Sequence, residues 1–148
     1  MKLVVDASVA VKWFVEENLR QEARLLVKQG HELVSPDFIL IETANIAWKK
    51  ALRGEIGKDQ ARTIVAAIPQ YVPTLYPSSE LMDWALELAF ALNHPVYDCL
   101  YLSCAEITDG VLITADEKLC KAVQDTEFAP LVRYLGDPWF FGIGTLAP

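Results

Sequence analysis

The chain has 148 residues, 53% hydrophobic and 22% charged, the size of a single domain that buries roughly 68–70% of its unfolded surface and is stable without disulfides or a structural metal. Its formal net charge of −7 excludes a protein that grips nucleic acid by a basic surface alone, so any polyanion partner needs cations gathered at the site. Cys99, Cys104 and Cys120 form no CxxC pair and have no zinc-finger spacing, which argues against a disulfide scaffold or zinc site and for a reducing cytoplasm; with no signal-peptide core and no long apolar run, secretion and membrane spanning are not expected.

Short β-rich runs alternate with segments of helical spacing, the pattern of an α/β layer fold with a mostly parallel sheet flanked by helices. Lys2 to Val5 reads as a buried central strand ending at Asp6, followed by a helix over Ser8 to Val15. Leu19, Ala23, Leu26 and Val27 share a helical face that Gly30 closes as a cap. Glu32 to Val34 is a second strand, Ser35-Pro36 reads as a helix start, and a helix runs from Asp37 to about Leu52, ended by Gly54 and Gly57. Lys58 to Ile68 is a further helix. Tyr71 to Tyr76 is a strand that its Pro73 confines to a sheet edge. A patterned helix through Leu81, Ala85, Leu88 and Leu92 is interrupted at Asn93-His94-Pro95, and another runs from Val96 to about Asp109. Val111 to Thr114 is the fourth strand, Glu117 to Gln124 a short helix, and Leu131 to Leu135 the fifth strand. One domain spanning 1–148 is expected, with 136–148 an apolar tail.

Four acids stand where chemistry is expected. Asp6 and Asp116 follow the first and fourth strands, and in open parallel sheets ligands bind beyond the carboxyl ends of the strands. Glu42 interrupts the aliphatic run Phe38-Ile39-Leu40-Ile41, and Asp98 opens a helix. If those helices begin on the same side, the four carboxylates converge, and ionised carboxylates in one site repel unless cations join them. Oxygen-only ligation suits Mg²⁺ or Mn²⁺ rather than zinc. Asp6, Asp98 and Asp116 also sit near helix starts, where aspartate caps; Glu42 lies past the first turn and has no such role, its alternative being a long side chain that snorkels from apolar surroundings. Ser8 and Thr114 are placed either to support the acids or to fill strand ends.

These blocks resemble a known family. VVDASVAVKWF at the N-terminus, the Pro36 to Glu42 segment, YDCLYLSCA from Tyr97 to Ala105 and LITADEKL from Leu112 to Leu119 are similar to the sequence blocks of PIN-domain nucleases, above all the VapC-like ribonuclease toxins of prokaryotic toxin–antitoxin pairs. The resemblance runs from Met1 to about Leu135. It implies a five-stranded sheet of order 3-2-1-4-5 and a metal-dependent endoribonuclease that cleaves RNA. Asp6, Glu42, Asp98 and Asp116 are then the catalytic, metal-binding acids, with Ser8 and Thr114 in support. It also implies an antitoxin partner and a homodimer. A non-catalytic RNA- or metal-binding module on the same fold is the alternative.

The remaining residues are assigned more simply. Lys12, Lys49, Lys50 and Arg53 are the candidate RNA-binding cations; the last three share a helical face. His31 and His94 flank turns and are expected to be exposed and not ligands. The cysteines read as small buried helix residues. Trp13, Phe14, Trp48, Trp84 and Phe90 fall on apolar helical faces and are assigned to the core, whereas Trp139, Phe140 and Phe141 either fold back over the domain or build an interface. Asp6-Ala7-Ser8 lacks the second aspartate of a phosphoaspartyl phosphatase. A receiver-type signalling domain would leave Glu42 without a role, and no P-loop or dinucleotide glycine pattern is present.

Overall fold

A computed structural model of the protein, described for residues 2–137, is organised around β1 (Lys2–Val5), whose Leu3, Val4 and Val5 are fully buried. Its neighbours are β2 (Glu32–Pro36) and β4 (Val111–Thr114); β3 (Thr74–Tyr76) and β5 (Val132–Tyr134) form the edges, giving the order β3-β2-β1-β4-β5 with every pairing parallel. The segment that follows Pro73 does lie at an edge, with Pro73 just outside the three-residue strand.

Seven helices among the described residues join and cover the strands: α1 (Ala7–Ala10), α2 (Arg20–Lys28), α3 (Phe38–Leu52), α4 (Lys58–Tyr71), α5 (Ser78–Leu92), α6 (Val96–Ile107) and α7 (Glu117–Val123). The α6 helix packs against β1, β2 and β4 and against α5, while α3 packs on α1 and α4. Residues from Cys99 to Ala105 of α6 are all buried, so this helix has little polar surface of its own. At its start, the Phe38 ring of α3 stacks on Tyr97 at 5.7 Å and meets Tyr101 edge-on at 6.2 Å, which locks the first turns of α3 and α6 together.

Several boundaries differ from the sequence reading. The first helix is a single turn followed by a 3₁₀ turn at Val11–Trp13. Leu19 adopts φ 67° before α2, and Gly30 ends that helix at φ 74°, the left-handed geometry that glycine adopts without steric cost. Ser35 and Pro36 belong to β2 and do not start a helix: the Ser35 hydroxyl donates to the carbonyl of Val5 at 2.8 Å, and Pro36 pairs in register with Tyr76. The helix starts one step later. Asp37 Oδ1 accepts from both the backbone N–H and the hydroxyl of Ser78, while Ser78 Oγ accepts from the Phe38 N–H at 3.1 Å. The starts of α3 and α5 therefore cap each other. Ser78→Ala is expected to cost about 1 kcal/mol, the usual value of a lost cap, read as a melting temperature lowered by a few degrees.

The α4 helix continues through Pro69 to Tyr71, leaving β3 three residues long. A proline near the last turn removes only one helical bond, and Val72 still closes the end by donating to Ile68 at 2.9 Å. Of the aromatics assigned to the core, Trp13 is buried, with its indole N–H donating to Ala23 at 2.8 Å, but Trp48, Trp84 and Phe90 are exposed, Phe90 at 74%. The reason is that α3 and α5 carry apolar residues on more than one face. Ile39, Thr43 and Ala47 fill the buried stripe of α3, and Leu81, Ala85 and Leu88 that of α5, so their other apolar side chains face outward. The aromatic tail lies outside the described residues.

Candidate metal centre

The register of β1 and β4 builds the first half of the site. Val5 pairs with Ile113, which sets Asp6, just past the end of β1, beside Thr114, the last residue of β4. The Asp6 carboxylate caps α1, with Oδ1 accepting from Val9 N–H at 3.1 Å and from the Ser8 hydroxyl at 2.5 Å, and Oδ2 accepting from the Thr114 hydroxyl. Those two hydroxyls also accept, Ser8 from Ala115 N–H at 3.1 Å and Thr114 from Asp116 N–H at 3.0 Å. Asp116 in turn caps α7 through Lys118 N–H at 2.9 Å. Thus Ser8 and Thr114 tie Asp6 to the strand end that carries Asp116.

The two helices supply the other half. Glu42 lies in the second turn of α3, and its Oε1 accepts from the Tyr101 hydroxyl of α6 at 2.9 Å. Asp98 is the third residue of α6, with Oδ2 2.7 Å from His94 Nε2. Asp6, Glu42 and Asp98 each feel a neighbouring carboxylate. Burial pushes the Asp6 carboxyl up to about 6 against three hydrogen bonds that lower it, and the charge of Asp98 adds to the rise. Burial likewise pushes Glu42 up to about 7, helped by the charges of Asp6 and Asp98 against the Tyr101 hydrogen bond. Asp98 is raised by burial and by Asp116. Tyr101 is pushed well up by burial and by Glu42 and Asp6, so its phenol keeps the proton it donates.

Among the described residues, no lysine or arginine pairs with any of the four acids. Buried and half-buried carboxylates with no lysine or arginine beside them supply the hard oxygen donors a divalent cation takes. The residues present therefore fit a metal ion.

One residue enters the site against expectation. His94 was expected to be an exposed turn residue away from any ligand set, yet its side chain is only 11% exposed and bonded to Asp98. One atom each from His94, Asp98 and Asp116 lie within 4.8 Å of one another. The cause is local: Asn93 takes φ 50° and Pro95 caps α6, folding the chain so that His94 sits one turn before Asp98. The i,i+4 spacing of His94 and Asp98 was the available signal. Tyr101 was also missed as a site residue; a buried tyrosine requires a partner for its hydroxyl.

The four candidate cations divide into two pairs. Lys12 and Lys50 both reach Glu17, at 3.1 and 2.9 Å. Burial works to raise the Glu17 carboxyl, but the hydrogen bonds and charges of Lys50 and Lys12 outweigh it and hold it below its ordinary value. Lys49 and Arg53 are exposed. Cys99 and Cys104 are buried and Cys120 is partly so, and burial pushes their thiols up to about 11, 12 and 11. Such thiols are poor nucleophiles at neutral pH.

Known proteins are similar to this chain. The PIN domain family model matches residues 3–124. Ribonuclease VapC3 of Pyrobaculum aerophilum is 34% identical over 123 residues, which cover 82% of this chain and 94% of that protein. Ribonuclease VapC1 of Mycobacterium tuberculosis is 31% identical over 125 residues, covering 80% of this chain and 89% of the relative. Among solved structures, a toxin–antitoxin complex from Klebsiella pneumoniae contains a chain that shares the fold with a TM-score of 0.66 at 14% identity, over 91% of this chain and 98% of that one.

Proposed function

The chain belongs to the PIN domain family, and from that premise we propose that it is a metal-dependent endoribonuclease, the toxin of a VapBC-type toxin–antitoxin pair. The observation that carries this reading is the gathering of acids around the ends of β1 and β4: Asp6, Glu42 and Asp98 are each raised by burial and by a neighbouring carboxylate, Asp6 by Asp98, Glu42 by Asp6 and Asp98, and Asp98 by Asp116, with no described lysine or arginine paired to them. The ribonuclease names of relatives that match about four-fifths of the chain support the substrate class.

Asp6, Glu42, Asp98 and Asp116 would hold the ion, Mg²⁺ or Mn²⁺. Bound there, it supplies Lewis-acid polarisation of the phosphodiester, activation of a water and stabilisation of the leaving oxygen in an in-line displacement. The protein's own contribution is position. Ser8 and Thr114 fix the Asp6 carboxylate from both oxygens, and Tyr101 fixes Glu42 from across α6. Each of these donors is anchored in the sheet end or in a buried helix, so the ligands are preorganised.

Phosphate steering falls first to the exposed Lys49 and Arg53, which lie about 10 and 16 Å along α3 from Glu42 at 1.5 Å per residue. Lys12 and Lys50 contribute through the bridge to Glu17. Lys49→Ala combined with Arg53→Ala is expected to raise KM for RNA several-fold with kcat unchanged and to flatten the fall of affinity with salt. Binding isotherms at two ionic strengths read this directly.

The proposed partners are a cognate antitoxin and a second copy of the chain. Ile41, Leu52 and Phe90, exposed at 66%, 72% and 74%, are large apolar groups available to such interfaces, and a basic antitoxin side chain entering the acidic site would compete with the metal. No described helix is long and apolar enough to cross a membrane, and cysteines without disulfide partners support a cytoplasmic place of work. A mixed RNA pool incubated with the purified chain and Mg²⁺ tests the proposal. Fragmentation is expected; RNA that is bound and left intact would favour the non-catalytic module.

A further inference from the structure

The four acids draw on different donors. Asp6 accepts from three, Glu42 from the buried Tyr101, and Asp116 from the backbone of the first turn of α7. Asp98 has one hydrogen-bond donor among the described residues, the ring of His94, at 2.7 Å from Oδ2. The backbone that carries the ring is itself held. The His94 backbone N–H donates to the Ala89 carbonyl at 3.2 Å, its backbone carbonyl accepts from the Cys99 thiol, and its side chain is largely shielded from solvent. A carboxylate with a single bonded oxygen keeps the other free, and ligating carboxylates are commonly oriented by such an outer partner.

We propose that His94 is a positioning residue of the metal centre: its Nε2–H holds Oδ2 of Asp98, so that Asp98 and Asp116 would hold the ion and the ring would orient Asp98 rather than ligate. The inference rests on the metal-nuclease reading above. It differs from a ligand role for His94, which the closeness of its ring to Asp98 and Asp116 would also accommodate: the Nε2 that donates to Asp98 has no lone pair to offer a metal, and the ¹⁴N readout below tests the ring as a whole.

Mn²⁺ serves as the probe, titrated calorimetrically into the metal-free full chain and followed by pulsed electron paramagnetic resonance, which detects ¹⁴N bonded to the ion. His94→Ala is expected to weaken Mn²⁺ binding by roughly 10–100-fold with the metal-free melting temperature unchanged. His94→Gln, which keeps an N–H near the Nε2 position, is expected to recover most of the affinity. Wild-type Mn²⁺ should show no directly bonded nitrogen. Unchanged affinity in His94→Ala, no recovery in His94→Gln, or a directly bonded ¹⁴N signal in the wild type would each overturn the proposal. The last readout needs no variant and so survives a substitution that fails to fold. A wild type that takes up no Mn²⁺ would overturn the metal-nuclease reading itself, and this proposal with it; a wild type that binds tightly and is indifferent to His94 overturns the proposal alone.

Discussion

Asp6→Asn, Glu42→Gln, Asp98→Asn and Asp116→Asn are each expected to reduce RNA cleavage by well over about 100-fold, beyond the 10–100-fold typical of losing an outer-shell partner, while the metal-free protein keeps its fold. The substitutions preserve the local hydrogen bonding. An amide oxygen at position 6 still accepts from Val9 and Ser8, at 42 from Tyr101, at 98 from His94 and at 116 from Lys118. At position 6 the amide nitrogen faces Thr114, whose hydroxyl turns from donor to acceptor. What disappears is charge. Burial and mutual repulsion oppose the ionised forms of Asp6, Glu42 and Asp98, so neutral variants should hold or raise the melting temperature without metal. A fall of several degrees for Asp6→Asn would instead assign that residue to capping α1.

The second large effect is a dependence of stability on pH that metal reverses. Asp6 rises from 3.8 to about 6 and Glu42 from 4.5 to about 7 on folding; the folded state therefore binds protons more tightly than the unfolded state. Stability from these groups is fully present below about pH 4 and is lost as pH rises through 6 and 7. For the buried Asp6 alone the loss amounts to about 3 kcal/mol at 1.36 kcal/mol per pKa unit. Protons and cations compete for the same oxygens, so Mn²⁺ binding should tighten over the same interval and saturating Mn²⁺ should offset the loss. Thermal unfolding between pH 5 and 8, with and without Mn²⁺, measures both arms. For Asp6→Asn without metal the slope should be visibly shallower; an unchanged slope would mean that Asp6 is ionised at no cost in the folded protein.

Much of the proposed site was legible because its acids break local rules. Glu42 stands among aliphatic residues past the first turn of its helix, and Asp6 and Asp116 end strands that read clearly from their β-branched runs. Strand order followed from the family blocks, and Pro73 independently marked the edge segment. What escaped reading depended on contacts between distant segments. Ser35-Pro36 has the composition of a helix start, but the Ser35 hydroxyl is used by β1 and the cap of α3 comes from Ser78, some forty residues away in sequence. Tyr101 and His94 join the site only because α6 is buried against the sheet while its entry turn folds back. The exposed Trp48 and Phe90 show the limit of helical periodicity, which identifies an apolar face without saying what covers it.

The most direct measurement is cleavage of a defined RNA by chelator-treated protein before and after Mg²⁺ is restored, with the ends of the fragments identified. Preorganised carboxylates that act through a bound cation and water predict no cleavage in chelator, recovery with Mg²⁺ or Mn²⁺, and fragments that carry linear phosphate termini. Full activity in the metal-free protein, or 2′,3′-cyclic phosphate ends, would contradict it.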